Sequence, residues 1–351
     1  MGVVCPVVSG RLHITSKRQP NNIMQMEFRT IIKTGENRGL ITHNEPIMLM
    51  GSCFSDNIGQ RMRTAMMNVD INPFGTIYNP LSIASSLKRL VEKRPVDGND
   101  IFQAGGLWNS FLFHSRFSKS DKMRAIEGMN QRIESAHNHL KHARVLILTL
   151  GTAMVYRLRA TDTVVSNCHK VPQHQFSRQM ESIDGMTKAL ADAISLLRKF
   201  NHDLHIIVTV SPIRHIADGL AQNQLSKASL RVVADNLTKM MPQCVTYFPA
   251  YEIMLDDLRD YRFYAADMVH PSDVAIEYIW QTFQATFFDD RTSQAVSRCE
   301  RVSKRLMHRP ITDNRDAIAR FNTDTRAVVA NLVKEYPYLA ENPTIKDVFM
   351  I

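Results

Sequence analysis

Ile47-Met48-Leu49-Met50-Gly51-Ser52-Cys53-Phe54-Ser55 is the stretch on which the reading of this chain turns. Four consecutive apolar side chains predict a short strand buried on both faces. The glycine permits a sharp turn and leaves room for a substrate beside the backbone. A hydroxyl, a thiol and a second hydroxyl follow at once (Ser52, Cys53, Ser55), and residues 56–67 can continue as a helix. Strand, tight turn, nucleophile and helix form a recurrent way of holding an attacking atom rigid and exposed. The helix N-terminus is also expected to lower the pKa of a thiol placed there.

Working outward, further β-like runs occur at 68–71, 145–150, 205–210 and 245–248, and helical patterns at 81–92, 120–142, 182–200 and 226–240. Val145-Leu146-Ile147-Leu148-Thr149-Leu150 and His205-Ile206-Ile207-Val208-Thr209-Val210 are almost wholly apolar, as strands covered on both faces must be. Strands alternating with helices imply an α/β fold with a central parallel sheet of about five strands. Ligands bind such sheets at the carboxyl ends of the strands. Those ends carry Gly51-Ser52-Cys53, Asn72-Pro73-Phe74-Gly75, Gly151-Thr152 and Ser211-Pro212-Ile213-Arg214-His215, which predicts one shared site.

Composition narrows the class. With 351 residues, 44% hydrophobic and 22% charged, the chain can bury a sizeable core and reads as one to two globular domains. The net charge of +9 would suit a nucleic acid, but lysines and arginines are scattered among acids, so no nucleic-acid partner is expected. Five widely spaced cysteines (Cys5, Cys53, Cys168, Cys244, Cys299) without C-x-x-C point to reduced thiols and a cytoplasmic setting. No apolar run reaches the roughly 18 residues of a membrane span. Residues 1–25 are broken by Gly10, His13, Lys17, Arg18 and Pro20 and do not read as a signal peptide. They are expected to be a disordered tail, or to precede a natural start near Met24 or Met26. Residues 26–288 form the expected α/β domain and 289–351 a helical extension. Its basic cluster (Arg298, Arg301, Lys304, Arg305, His308, Arg309) reads as a solvated helix face. Cys168, His169 and His174 are too few and wrongly spaced for a zinc site, so no metal is expected.

A nucleophile needs a base, and a histidine base needs orienting. Asp267-Met268-Val269-His270 provides both on one turn. The carboxylate can hold Nδ1–H, leaving Nε2 to face the nucleophile. A helix-capping aspartate beside a surface histidine has the same spacing, but the position after the last strand favours the functional reading.

At this point the residues resemble a known family. Gly51-Ser52-Cys53-Phe54-Ser55 resembles the signature of the GSCFA family, which is similar to the SGNH/GDSL esterase superfamily. Asn72-Pro73-Phe74-Gly75-Thr76-Ile77-Tyr78-Asn79-Pro80, Leu150-Gly151-Thr152-Ala153, Asn167-Cys168-His169-Lys170-Val171-Pro172, Val210-Ser211-Pro212-Ile213-Arg214-His215 and the segment from Tyr251 to His270 resemble its other blocks. The resemblance covers roughly residues 26–283. It implies a three-layer, flavodoxin-like SGNH fold. It also implies an acyl-ester hydrolase or acyltransferase acting on a small-molecule or glycan ester, with no nucleotide, flavin or metal cofactor. Its roles fall on Cys53 as nucleophile, His270 as base, Asp267 as orienter and Gly75 as an oxyanion donor.

Two departures stand out. A thiol replaces the usual serine and is a competent nucleophile. Ala153 stands where the superfamily has an oxyanion asparagine, so Thr152, Asn79 or Asn167 must replace it or the site is weak. One such donor is worth about 100- to 1000-fold in rate. Other readings stay open. Ser52 or Ser55 can be the nucleophile, or Cys53 a buried structural thiol. Ser55 can cap the helix. His169, Lys170, Arg214 and His215 can touch substrate, or serve packing and ion pairing. His114 can line the pocket or sit half-buried in the core. A fold that binds an acylated or carbohydrate-like ligand without turnover is the alternative function. Oligomeric state is left open.

Overall fold

A computed structural model describes residues 29–308, 311 and 313–350. The expected tail and the alternative starts lie outside them. The strands in chain order are β1 (Ile47–Gly51), β2 (Val69–Ile71), β3 (Phe102–Ala104), β4 (Leu107–Asn109), β5 (Val145–Leu150), β6 (Met154–Leu158), β7 (Thr163–Val165), β8 (Phe176–Met180), β9 (His205–Val210) and β10 (Val245–Phe248). The helices are α1 (Cys53–Thr64), α2 (Pro80–Val91), α3 (Lys122–His142), α4 (Ile183–Phe200), α5 (Leu220–Met240), the short α6 (Ala250–Glu252), α7 (Asp273–Phe287), α8 (Asp290–Met307), α9 (Arg315–Glu335) and α10 (Pro343–Met350).

Five strands form a parallel sheet in the order β10-β9-β5-β1-β2. Counting only these strands along the chain, the order is 2-1-3-4-5, the flavodoxin-like arrangement, whose switch point lies between β1 and β5. Alternate side chains of each strand enter different cores because successive residues point to opposite faces. Ile47, Leu49 and Ile147 pack with Phe54 and Ile58 of α1 and Trp280 and Phe283 of α7. Met48, Met50 and Leu148 pack with Leu87 of α2, Leu190 of α4 and Leu230 of α5. Helices therefore cover both faces, which is why the strands read as unbroken apolar runs. Each fully buried aliphatic side chain stabilises the fold by about 1.5–3 kcal/mol.

Two antiparallel pieces were not legible in the sequence. Strands β3 and β4 form a hairpin turned at Gly105-Gly106, with φ +59° and +75° as a two-residue primed turn requires. Strands β7, β6 and β8 form a small sheet between β5 and α4. Their half-exposed, mixed-polarity residues give too weak a period to distinguish from loop. Helix α5 also begins at Leu220, six residues before its expected start.

Helices α8, α9 and α10 pack around Cys299, Val302, Val329, Leu332 and Ile345, with Met66 joining the same cluster. The basic cluster is not simply a solvated face. Arg298 pairs with Glu335, and Arg305 donates to Thr325 Oγ1 at 2.8 Å while lying 4.6 Å over the Phe321 ring. These two arginines brace α8 against α9, and Arg309 lies outside the described residues. Residues Ile31–Ile351 form one unit, and of Met1–Thr30 only residues 29 and 30 are described. None of the helices among the described residues is long and apolar enough to cross a membrane.

Candidate active site

The end of β1 leaves no room for a side chain at residue 51. Gly51 has φ +142°, and a Cβ there would lie 2.2 Å from Thr149 O. Its amide donates to Asn72 Oδ1 at 2.9 Å. Asn72 is fully buried, and its carbonyl accepts from Gly75 N at 2.8 Å and Arg116 Nη2 at 2.6 Å. The ends of β1 and β2 are thereby joined. Gly51→Ala should destabilise the fold by about 3 kcal/mol or more, because the clash is with backbone. A urea midpoint equal to wild type would contradict this.

Ser52 caps α1. Its Oγ accepts from Phe54 N at 3.3 Å, and its amide donates to Thr149 O at 3.2 Å. The helix therefore starts at Cys53, three residues before the expected start, and the capping role considered for Ser55 belongs to Ser52. Ser55 lies inside the helix and donates to Thr149 Oγ1 at 2.8 Å. Both serines are essentially inaccessible, at 0% and 1% exposure, whereas Cys53 is half-buried.

Cys53 Sγ lies 3.8 Å from His270 Nε2, and His270 Nδ1 donates to Asp267 Oδ2 at 2.7 Å. Asp267 Oδ1 accepts the amides of Val269 (2.9 Å) and His270 (3.0 Å), so one carboxylate both builds the turn and orients the ring. Met268 takes φ +58° to close that turn, and Ala265 N donates to His270 O at 2.7 Å. Ser272 then caps α7, accepting from Ala275 N. The site thus joins a loop ahead of the N-terminus of α7 to the N-terminus of α1, and these two helices pack on the same face of the sheet.

The backbone amides of His270 and Val269, then the His270 ring, hold Asp267 down to about 2. The folded protein keeps Asp267 ionised below its ordinary value of 3.8. Between roughly pH 4 and pH 2 the unfolded chain consequently binds more protons, and stability falls as pH falls. Acid titration should show wild type more stable than Asp267→Asn near neutrality, with the gap closing toward pH 2. A gap independent of pH would contradict it. At Cys53 the expectation of a lowered thiol pKa is reversed. Burial pushes it up, outweighing the amides of Cys53 and Phe54 and the cation of Lys227. Desolvation of the anion wins over the helix N-terminus.

The remaining candidates have definite partners. Gly75 (φ +83°) abuts His114, where a Cβ would come within 2.2 Å of the His114 Cβ, and its amide is committed to Asn72 O at 2.8 Å. His114 is half-buried, and its Nδ1 accepts from Arg116 N. Asn79 caps α2, accepting from Ser82 N at 2.8 Å. Thr152 Oγ1 shares a bond with Ser226 Oγ at 3.1 Å, and its amide donates to Tyr78 O at 3.0 Å. Asn167 Oδ1 accepts from His169 N at 2.8 Å. His169 bonds Ser110 O at 2.6 Å and meets Phe102 edge-on. Arg214 has no carboxylate partner among the described residues. It lies 3.9 Å over the Tyr264 ring, and its amide donates to Val269 O at 3.2 Å, bracing the loop that carries His270. His215 meets Tyr78 edge-on, and burial first, then Lys227, lowers it to about 4.

Lys227 escaped the sequence reading. It sits mid-helix in α5 with nothing local to mark it, yet it is 1% exposed and donates to Gly151 O at 2.6 Å and Ser211 O at 2.8 Å. A cavity of about 580 Å³ opens one turn along α1 from Cys53, lined by Asp56, Gln60 and Arg63 of that helix together with Asp70, Arg116 and Arg132.

The GSCFA family matches residues 46–283, about two thirds of the chain. No curated protein matches. Solved structures similar to it include one described as a putative platelet activating factor from Streptococcus pneumonia (10% identity, TM-score 0.34, covering 68% of this chain and 84% of that one). Another is the acetyl xylan esterase Est2A from Butyrivibrio proteoclasticus (9%, 0.36, 69% and 63%). A third is a family two carbohydrate esterase from Clostridium thermocellum in complex with cellohexaose (12%, 0.35, 73% and 66%). The chain spans just under two thirds of the length of the last two.

Proposed function

The chain belongs to the GSCFA family, and on that premise we propose that it is a thiol-dependent acyl-ester hydrolase or acyltransferase of the SGNH kind. The observation that carries this is the Cys53–His270–Asp267 line, at 3.8 Å and 2.7 Å, at the carboxyl edge of the sheet. His270 Nε2 takes the proton of Cys53 as the sulfur attacks the ester carbonyl. The C=O pair moves onto oxygen, where the Cys53 amide at the N-terminus of α1 can donate. Collapse expels the alkoxide, which takes the proton from His270. Water or an acceptor alcohol then gives its proton to His270 and attacks the thioester, and the expelled Cys53 sulfur takes that proton back from His270. Asp267 fixes the tautomer that makes Nε2 the base.

Incubation with p-nitrophenyl acetate followed by intact-mass measurement tests this. One acyl group should appear on the wild type and be absent from Cys53→Ala, while folded Ser52→Ala and Ser55→Ala retain it. Added sugar or glycerol separates transfer from hydrolysis by the product formed. A second reading, a module that binds an acylated ligand without turnover, draws on Ala153 and on the commitment of the Gly75 amide to Asn72. Folded protein giving neither adduct nor turnover across a panel of esters would select it.

A further inference from the structure

Lys227 has no carboxylate partner among the described residues, although it is buried to 1% exposure. An ammonium removed from water is unfavourable unless other groups compensate it. Two carbonyls do so in part, and the Tyr251 ring centroid lies 5.9 Å from Nζ. The position of those carbonyls matters. In the β1–β5 pairing Gly51 is opposite Thr149, so Cys53 and Gly151 leave adjacent strands side by side, each two residues beyond that pair. Ser211 directly follows β9. The ammonium therefore grips the end of β5, the neighbour of the strand that leads to the thiol, and the end of β9, one strand farther on.

We propose that Lys227 is a positioning residue for the chemistry at Cys53: it ties the ends of β5 and β9 together, and its charge favours the thiolate and the oxyanion that form beside it. The cation thereby compensates for the polar group that Ala153 does not supply. This rests on the reading of Cys53 as the nucleophile.

Electrostatics agree in direction. Burial lowers Lys227 to about 7 while Cys53 raises it, and Lys227 in turn opposes the upward push on the Cys53 thiol. The other groups facing the pair do not replace this charge. Asp56 on α1 disfavours the thiolate. Tyr78 and Tyr251 are raised above their ordinary value by burial and stay neutral. His215, lowered to about 4 by burial and by Lys227, Arg178 and His270, is uncharged at neutral pH.

The test is the pH profile of Cys53 alkylation by iodoacetamide, read by peptide mass mapping with Cys168 as internal reference. Lys227→Gln keeps donors for both carbonyls but removes the charge. Its Cys53 should alkylate severalfold more slowly at and below pH 7, where Lys227 still holds its proton, with the difference closing as the pH rises above 7, while Cys168 is unchanged. Lys227→Arg should restore the wild-type rate at pH 7. A wild-type profile in folded Lys227→Gln, or equal slowing in folded Lys227→Arg, overturns the proposal. If Lys227→Gln does not fold, wild-type protein decides. The rate ratio of iodoacetate to iodoacetamide at Cys53 should exceed that for 2-mercaptoethanol, and a ratio at or below it overturns the proposal. Neither measurement reads ester turnover. A Cys53 that responds to Lys227 but never acylates would discard the enzyme reading and leave only the coupling of Lys227 to the thiol.

Discussion

Cys53→Ala should lower ester turnover by about 10⁴-fold or more and abolish the covalent adduct, as loss of a nucleophile does where the other groups act only with it. Neither neighbouring hydroxyl can take over. Ser52 Oγ is turned into the helix cap and Ser55 Oγ into Thr149, both out of reach of solvent. The milder Cys53→Ser is informative too. A C–O bond is shorter than a C–S bond, so the hydroxyl would lie farther from His270 Nε2 than the 3.8 Å of the sulfur, beyond good O–H···N reach. A loss of about 100-fold or more is expected, within the range attributed to general-base help. Steady-state kinetics with intact-mass detection would measure both. Folded Cys53→Ala with more than a tenth of wild-type turnover would remove Cys53 from the mechanism.

Asp267→Asn should lower turnover by about 10³- to 10⁴-fold, in line with the loss seen when the orienting aspartate of a catalytic triad is replaced by asparagine. The reason is tautomeric rather than coulombic, since Asp267 is half-exposed and its charge is screened. Asp267 accepts three N–H bonds, two from backbone amides on Oδ1 and one from His270 Nδ1 on Oδ2. An asparagine keeping its oxygen on the backbone amides presents its NH₂ to Nδ1. The ring then accepts at Nδ1 and carries its proton on Nε2, where it cannot receive one from Cys53. The loop should survive and the base should not. Activity within about threefold of wild type, with the loop intact by NMR, would discard the dyad. Imidazole NMR of His270 offers a direct view, because the protonated nitrogen should switch.

Much of this site was legible because its critical spacings are local. Asp267 and His270 are three residues apart, and a carboxylate can reach the imidazole of its own turn without help from the rest of the fold. The apolar runs at 145–150 and 205–210 appear as β5 and β9 with unchanged ends, since few structures other than a doubly covered sheet bury every side chain of a strand. The half-exposed strands β6, β7 and β8 were not legible, because one short polar face resembles a loop. The environment of the Gly75 amide was not legible either. Whether the Gly75 amide points outward or closes onto Asn72 depends on φ +83° and on the His114 side chain beneath it, neither of which has a local sequence mark.

By itself, the sequence determined a parallel α/β sheet, and it marked the Gly51-Ser52-Cys53 turn after the first strand and the Asp267–His270 pair after the last as candidates for the site. These follow from burial periodicity and from contacts within a few residues. The tertiary structure alone decided which of Ser52, Cys53 and Ser55 faces His270. That depends on where α1 starts, which the Ser52 cap sets, and on packing that brings together residues 217 positions apart. It also decided that Lys227 is buried against the ends of β5 and β9, because burial of an ionisable group is a property of what surrounds it in space and not of its neighbours in the chain.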